Sequence, residues 1–224
     1  MSNTLSRMEK SYLVLCTSFT LIAVFSNIIS IKLVTLPYLN IQIPAGLVIY
    51  PLTFLLSDLV TEIFGVAKAK WMVYVALGMN IFSIGILELA LWLPTSNEEH
   101  QKAFQIILGL GTLRIVSSLI SYIIAQIVDI QVYASIKKRT GSRYLWLRNN
   151  LSTCISQMID TILIDILYLY WGLGMAFQDV LPIMVFSYLY KAVFSFLLTP
   201  LLYSGVSFLQ SGTPLFLRIR TQKS

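Results

Sequence analysis

The chain contains six long apolar stretches separated by short polar segments. A hydrocarbon core of ~30 Å is crossed by roughly 20 apolar residues in a helix. Apolar residues follow one another continuously in these stretches, whereas strands of a membrane β-barrel alternate apolar and polar positions. We therefore predict an all-α integral membrane protein, a bundle of six transmembrane helices. The predicted helices lie at about 11–32, 44–64, 71–93, 112–133, 151–172 and 181–207.

The fourth apolar stretch is too long for one straight span, because it extends from about 104 to 133. Gly109 and Gly111 lie near its start, and glycine weakens a helix interior. We therefore place a break there and begin the fourth helix near residue 112. The resulting organisation is a tail at 1–10, a six-helix transmembrane domain at 11–207 and a basic tail at 208–224.

Composition supports a membrane protein and excludes other classes. Hydrophobic residues make up 57% of the 224 positions and charged residues 12%, and the mean hydropathy is +0.78. Soluble domains carry about 25% charged residues. Cys16 and Cys154 lie in apolar stretches without CxxC spacing, and His100 is the only histidine. We therefore expect no disulfide framework, metal site or cofactor. The chain has no phosphate-binding loop of the GxxxxGK[ST] type.

The positive charges predict the orientation of the helices, because cytoplasmic loops carry an excess of Lys and Arg. With the six predicted helices, twelve of the sixteen Lys and Arg residues fall on one side of the membrane, in the two tails and in the loops after the second and fourth helices. Arg148 is counted in the second of these loops. Both termini are therefore predicted to be cytoplasmic, and the net charge of +6 indicates topology rather than a nucleic-acid partner.

Ionisable residues inside the predicted spans are the candidate functional residues, because such groups are costly in a membrane and usually face the bundle interior. Asp58 and Glu62 are spaced i, i+4 and share one helix face with Tyr50 and Phe54. This stripe predicts either an aromatic pocket followed by two carboxylates, or a packed stripe whose charges pair with other helices. The charged residues in question are Asp58, Glu62, Glu88, Arg114, Asp129, Asp160, Asp165 and Lys191.

Depth separates these residues. The predicted spans place Asp160 and Lys191 near mid-membrane. Glu62 and Asp129 lie close to the predicted cytoplasmic ends, where long polar side chains can simply reach water. For Glu88 and Asp165, toward the outer ends, we favour that simple interpretation. Arg114 and Lys191 are expected to neutralise buried carboxylates, with Asp129 in the same pairing or coupling role.

Two pairs place an amide beside a carboxylate at i, i+3 spacing. Gln157 precedes Asp160, and Gln126 precedes Asp129. A guanine edge presents one acceptor and two donors, which an amide NH₂ and a carboxylate can match. Interhelical hydrogen bonding explains the same pattern. Asn27 adds a neutral hydrogen-bonding group in the first helix.

Three blocks of sequence and two further pairs of residues carry a resemblance to a known family. The first block is Pro51-Leu-Thr-Phe54 with Ser57-Asp58, Thr61-Glu62 and Phe64-Gly65. The second is Arg114, Ser118, Gln126 and Asp129. The third is Leu145-Trp-Leu-Arg148 with Ser152-Thr153, Gln157 and Asp160-Thr161. Asn27 and Lys32 fit the first helix, and Ala69-Lys70 departs from the usual Ala-Arg while keeping the charge. Over about residues 20–200, the chain resembles the queuosine precursor transporter family, also described as the putative vitamin uptake transporter family.

The resemblance implies import of a 7-deazaguanine base, with preQ0, preQ1 and queuine as candidates. All three share the guanine edge, and preQ1 and queuine carry an amine that a second carboxylate could attract. We expect the substrate-binding residues to include Asp160, Gln157, Asp58, Glu62, Tyr50, Phe54, Asn27 and Gln126. Asp58 and Glu62 are candidates either for the amine or for proton coupling. The expected location is the inner (plasma) membrane.

Of two other classes of function, a substrate-capture subunit remains open and an intramembrane enzyme is disfavoured. Vitamin-binding subunits of energy-coupling-factor transporters are also small six-helix proteins, and a separate ATPase module powers them. An intramembrane enzyme is not expected, because the spans contain no histidine and no HExxH or GxSxG motif. The sequence leaves open which precursor is preferred, what drives transport and whether the protein forms a homodimer.

Overall fold

The computed structural model describes residues 5–30, 32–35, 42–109, 112–141 and 143–211. The side chains of 33, 42, 106–109, 112–115, 210 and 211 lie outside this description. Six helical segments of the described chain are long and apolar enough to cross a membrane, which confirms the prediction of an all-α membrane protein. They are Arg7–Ile29, Ala45–Phe64, Val66–Trp92, Val116–Thr140, Leu145–Gly172 and Phe177–Leu209.

The elements follow one another in a simple order. The α-helices are α1 (Arg7–Ile29), α2 (Pro51–Phe64), α3 (Val66–Trp92), α4 (Glu98–Gly109), α5 (Thr112–Thr140), α6 (Leu145–Ile164) and α7 (Phe177–Ser211). Two short strands, β1 (Leu33–Thr35) and β2 (Gln42–Pro44), and a 3₁₀ turn at Ala45–Val48 join α1 to α2. A π-helix at Asp165–Gly172 extends α6.

Helix α1 begins at Arg7, four residues before the predicted boundary. Ser6 caps it, because its hydroxyl accepts a hydrogen bond from the Glu9 backbone N–H at 3.2 Å. The Glu9 carboxylate in turn accepts from the Ser6 N–H at 2.8 Å. This reciprocal capping box satisfies two backbone donors that would otherwise lack partners at a helix start.

The segment between α2 and α3 is shorter than predicted. Gly65 alone connects the two helices, with φ of 88°, a conformation that glycine adopts without steric cost. Lys68 and Lys70 therefore lie on the first turns of α3, not in a loop. Their charges still lie near the end of a span, as the predicted topology requires.

The connection between α1 and α2 contains a small antiparallel ribbon that the apolar pattern did not predict. Leu33 pairs with Pro44, and Thr35 pairs with Gln42. The following 3₁₀ turn packs closely on α1, where the Ser26 hydroxyl donates to the Gly46 carbonyl at 3.1 Å. A Cβ atom at Gly46 would collide with the Ser26 carbonyl and the Ser30 hydroxyl. Glycine is therefore required for this close approach.

The region around α4 and α5 confirms one prediction and corrects another. Gly109 ends α4 and Thr112 begins α5, so the predicted break near Gly109 and Gly111 is correct; Gly111 itself lies outside the described residues. Residues 98–103, predicted as loop, belong to α4. Asn97 starts this helix, since its side chain accepts from the backbone N–H of Glu99 at 3.1 Å.

Helix α6 begins at Leu145, six residues before the predicted start, and this corrects the assignment of Arg148. The sequence pattern placed Arg148 in a polar loop, but its side chain is only 1% exposed. It lies on the first turn of α6 and faces other helices. Its charge is therefore part of the interior rather than of the cytoplasmic surface.

Apolar packing holds the helices together around a polar interior. One cluster joins α1, α2, α3 and α5, and a second joins α2, α5, α6 and α7. Large apolar side chains such as Phe82, Trp92 and Leu197 point away from the bundle, as expected for a surface in contact with lipid. Polar side chains on α2, α5 and α6 are instead enclosed, which positions the candidate site.

Candidate functional site

Polar side chains on α2, α5, α6 and α7 form three groups that follow one another along the helices. We call them the lysine site (Tyr50, Asp160, Thr161 and Lys191), the carboxyl pair (Asp58 and Asp129) and the arginine cluster (Glu62, Tyr133, Lys137 and Arg148). Tyr50 directly precedes α2, so the helical rise of 1.5 Å per residue places it about 12 Å from Asp58, and Asp58 about 6 Å from Glu62. The groups therefore occupy successive levels of one interior.

The lysine site contains a buried ion pair. The Lys191 Nζ lies 2.7 Å from Asp160 Oδ2, and both side chains are 5% exposed. Lys191 also donates to the Thr161 hydroxyl at 3.1 Å, and the Tyr50 hydroxyl donates to Asp160 Oδ1 at 3.1 Å. The predicted role of Lys191 in neutralising a buried carboxylate thus has a direct geometric counterpart, and its partner is Asp160.

Aromatic rings of the α2 stripe border the lysine site. Lys191 Nζ lies 5.3 Å from the centre of the Tyr50 ring, within the distance of a cation–π contact. Tyr50 and Phe54 meet edge to face, with ring centres 5.7 Å apart. Phe54 is fully buried. The two aromatic residues and the carboxylate of Asp160 are therefore neighbours in three dimensions.

The two predicted glutamines differ in their surroundings. Gln126 donates through Nε2 to the Thr53 hydroxyl at 3.2 Å, and its Oε1 has no partner among the described residues. Gln157 is 0% exposed, and neither its Oε1 nor its Nε2 has a hydrogen-bonding partner in the described part of the chain. Buried amides are nearly always hydrogen-bonded, so Gln157 requires an explanation.

The carboxyl pair joins α2 to α5, because Asp58 of α2 and Asp129 of α5 lie within hydrogen-bonding reach of each other. Both side chains are fully buried. Asp129 accepts from the hydroxyl of Ser57 at 3.1 Å and from that of Ser156 at 3.0 Å. Of the hydroxyl groups in the described chain, Thr153 alone donates to Asp58, at 3.4 Å. Asp129 therefore does not reach the surface of the protein, and the alternative in which it simply extends to water is wrong.

The arginine cluster holds Glu62 between two cations. Arg148 lies 2.7 Å and Lys137 3.1 Å from the Glu62 carboxylate, and the Tyr133 hydroxyl donates to it at 3.0 Å. Arg148 also donates to the carbonyls of Gly141 and Arg143, both at 2.9 Å. The charge on Glu62 is therefore neutralised by residues assigned to a loop from sequence, not by Lys191.

Asn27 lies apart from these three groups. Its amide donates to Asn80 Oδ1 at 2.7 Å, and its own Oδ1 accepts from the Ser118 hydroxyl at 2.9 Å. It thus links α1, α3 and α5. The side chain of Arg114 lies outside the described residues, so its predicted pairing stays a prediction.

The outer carboxylates have different surroundings. Glu88 points away from the bundle, as the simple interpretation predicts. Asp165 is only 9% exposed and lies near Lys191 and Asp160, so its carboxylate does not extend freely to water. The π-helix that begins at Asp165 turns this residue toward the same interior as Asp160. Such π segments occur often at functional sites.

Sequence reasoning missed several residues that complete the site. Ser57, Ser156 and Thr161 supply hydroxyl donors or acceptors to charged groups, and Arg148, Lys137 and Tyr133 surround Glu62. The sequence could have indicated the three hydroxyl residues, because each is adjacent in the chain to a candidate site residue. No local pattern pairs Arg148 with Glu62, since 86 residues separate them.

The arrangement of these described residues can bind a polar solute. Asp160 uses two acceptor positions, for Tyr50 and Lys191, whereas a carboxylate offers about four. Gln157 lies one helical turn from Asp160, and its amide donor and acceptor have no partner among the described residues. Together, Asp160 and Gln157 can form hydrogen bonds with a ligand edge that carries donors and an acceptor.

Comparison with known proteins gives two matches. Residues 44–205 match a family described as "Putative vitamin uptake transporter". The chain is also 31% identical over 163 residues to a protein of Bacillus subtilis (strain 168) named "Probable queuosine precursor transporter", covering 71% of this chain and 70% of that protein. No solved structure matches the chain.

Proposed function

The chain belongs to the putative vitamin uptake transporter family, and from this premise we propose that it imports queuosine precursors, the 7-deazaguanine bases preQ0, preQ1 or queuine. The chain is a multi-pass membrane protein with the six segments described above. The name of the Bacillus subtilis relative supports this class of substrate. We further propose an inner-membrane location with both termini in the cytoplasm, on the basis of the Lys and Arg distribution.

The observation that carries the proposal is the buried, unpartnered amide of Gln157. An unsatisfied buried polar group costs about 1–3 kcal/mol, and a chain tolerates this cost where a ligand supplies the missing partners. Nε2 of Gln157 would donate to the carbonyl oxygen of the base. The open acceptor positions of Asp160 would receive the ring N–H and the exocyclic amine.

The aromatic residues supply the complementary apolar surface. In the proposed binding mode the flat ring lies beside the Tyr50 and Phe54 rings, where stacked or edge-to-face contacts are favourable. A site that satisfies buried polar groups only with the correct ligand rejects analogues that lack the matching edge. This geometry favours purine-like bases over aliphatic vitamins of similar size.

The carboxylates of the α2 stripe differ in their availability. Glu62 is held by Arg148 and Lys137, so it is not open to the amine of preQ1 or queuine. Asp58 keeps one oxygen without a partner in the described residues. Of the two carboxylates in this stripe, Asp58 is therefore the one available to bind either an amine or a proton.

Uptake of labelled preQ0, preQ1 and queuine by cells that cannot synthesise them tests the proposal, with queuosine in tRNA as the second readout. Gln157→Met should keep the thermal stability of the purified protein, because no hydrogen bond is lost, and should reduce uptake at least tenfold, equivalent to about 1.4 kcal/mol. Gln131→Met, at an exposed position of α5, is the matched control.

Asp160→Asn should also lose uptake, and since it leaves the buried Lys191 without a carboxylate, uptake is compared at equal amounts of folded protein in the membrane. Purified protein reconstituted alone in vesicles shows whether a separate ATPase module is needed, since transport without ATP excludes that requirement. Full uptake by Gln157→Met and Asp160→Asn would refute the assigned site. Failure of all three bases to enter cells that express the protein would refute the substrate class.

A further inference from the structure

The carboxyl pair is a second site with a chemistry of its own. Asp58 and Asp129 lie within hydrogen-bonding reach of each other, both fully buried. No Lys or Arg lies within 4.0 Å of either carboxyl group among the residues that the structure describes. Two ionised carboxylates cannot remain in contact without a cation, whereas one proton between them gives a strong hydrogen bond.

We propose that Asp58 and Asp129 bind the proton that drives uptake, so that the protein is a proton symporter. This inference rests on the proposed function for its cargo, but the proton site itself is defined by the chain alone. The pair is more than an acidic cluster, because Asp58 Oδ1 is fully enclosed and no described residue donates a hydrogen bond to it.

The surrounding donors assign the proton to Asp58. Asp129 accepts hydroxyl hydrogen bonds at both oxygens, from Ser57 and Ser156, which stabilises its ionised form. From the described residues Asp58 accepts a single long hydrogen bond, from Thr153. A protonated Asp58 donates to Asp129, and the pair then carries a single negative charge that two hydroxyl groups solvate.

The charged and titratable groups around the pair are compatible with this assignment. Glu62 and Tyr133 face Asp58 from α2 and α5, but Arg148 and Lys137 neutralise Glu62. Lys191 of α7 is engaged with Asp160. At the end of α2, Tyr12 of α1 and Lys68 of α3 contact each other and Phe64.

The arginine cluster offers a route for the proton to leave. Glu62 is one turn from Asp58 on the same helix face and is 10% exposed, while Lys137 beside it is 34% exposed. In the step that releases the proton to the cytoplasm, the proton leaves the carboxyl group of Asp58, which becomes a carboxylate, and passes to water near Glu62. No covalent bond of the cargo is made or broken.

Helix α6 connects the proton to the cargo. Ser156, which donates to Asp129, precedes Gln157 directly, and Thr153, which donates to Asp58, lies one turn before it. A nucleobase bound by Gln157 and Asp160 therefore contacts α6, the same helix that supplies hydroxyl groups to the carboxyl pair. A shift of α6 by a fraction of a turn changes the solvation of both carboxyl groups at once.

Infrared spectroscopy tests the proton site without transport. A protonated carboxyl group has a carbonyl stretch that carboxylates lack. Purified wild-type protein at pH 7 should show this band, and Asp58→Asn should reduce it, whereas Glu88→Gln, a control at an exposed carboxylate, should not. An unchanged band in Asp58→Asn would overturn the proposal. So would a large loss of thermal stability, because an amide mimics a protonated acid.

Transport by proteoliposomes tests coupling. With the membrane potential clamped and the outside one pH unit more acidic, one proton per cargo supports about tenfold accumulation. Wild type and Glu88→Gln should reach this level with labelled preQ0. Asp58→Asn and Asp129→Asn should only equilibrate preQ0, which lacks the amine that Asp58 could otherwise attract, while retaining counterflow exchange. Tenfold accumulation by Asp58→Asn would refute coupling at this pair.

The two experiments separate the two proposals. If wild type shows no counterflow with any of the three bases, the proposed cargo is wrong, and the infrared band still decides whether Asp58 holds a proton. If counterflow is present but accumulation does not depend on the pH gradient, the proposed cargo is supported and proton symport is refuted.

Discussion

The Arg148–Glu62 pair gives the sharpest test of the interior charges. Replacing Glu62 with Gln leaves Arg148, which is 1% exposed, without a carboxylate. Breaking a buried pair by removing one partner costs about 3–5 kcal/mol. Replacing Arg148 with Met should cost less, near the lower end of this range, because Lys137 still lies 3.1 Å from Glu62. The structure therefore predicts an asymmetry between the two single variants.

A double-mutant cycle measures this interaction. Reversible unfolding in mixed micelles gives the free energies of Glu62→Gln, Arg148→Met and the double variant, and the double variant should cost less than the sum of the singles by about 0.5–3 kcal/mol. Arg139→Met removes an exposed arginine from the same end of the bundle and should change stability by no more than about 0.5 kcal/mol. Additive single effects, or an Arg148→Met variant as stable as Arg139→Met, would refute the buried pairing.

Three further predictions use the same unfolding assay. Lys191→Met should destabilise the protein because Asp160 loses its cation, and adding Asp160→Asn should restore much of the stability; equal stability of single and double variants would contradict the pairing. Gly46→Ala should lower the unfolding temperature, since the added Cβ collides with the Ser26 carbonyl, and an unchanged temperature would contradict this contact. Asn27→Ala should cost about 1–3 kcal/mol by leaving buried partners unsatisfied, which a variant of wild-type stability would disprove.

The polar residues of this interior are of two kinds, which differ in whether their polar atoms have partners within the described chain. Arg148, Lys191 and Asn27 have their hydrogen-bonding or charge partners within the chain, so their replacement should act on stability. Gln157 and Asp58 have atoms without partners in the described chain, so their replacement should act on transport. Measuring stability and uptake on the same variants therefore distinguishes structural from functional polarity.

The sequence by itself determined the membrane class, the number of spanning helices and most of the chemically interesting residues. Lipid requires a continuous apolar stretch with all backbone groups paired, and this requirement is visible in one dimension. Ionisable residues are conspicuous in such stretches because burying them in lipid is costly. The i, i+4 spacing also correctly placed Tyr50 beside Phe54, since helix periodicity is local.

Only the tertiary structure decided which polar groups meet. Asp58 and Glu62 share one helix face, yet one contacts Asp129 and the other contacts Arg148. Periodicity gives the face of a helix but not the neighbour opposite it, because that neighbour depends on how α2, α5 and α6 pack over separations of 70 residues and more in the chain. For the same reason an arginine at the edge of an apolar stretch was assigned to a loop, although the fold encloses it as the partner of a buried carboxylate.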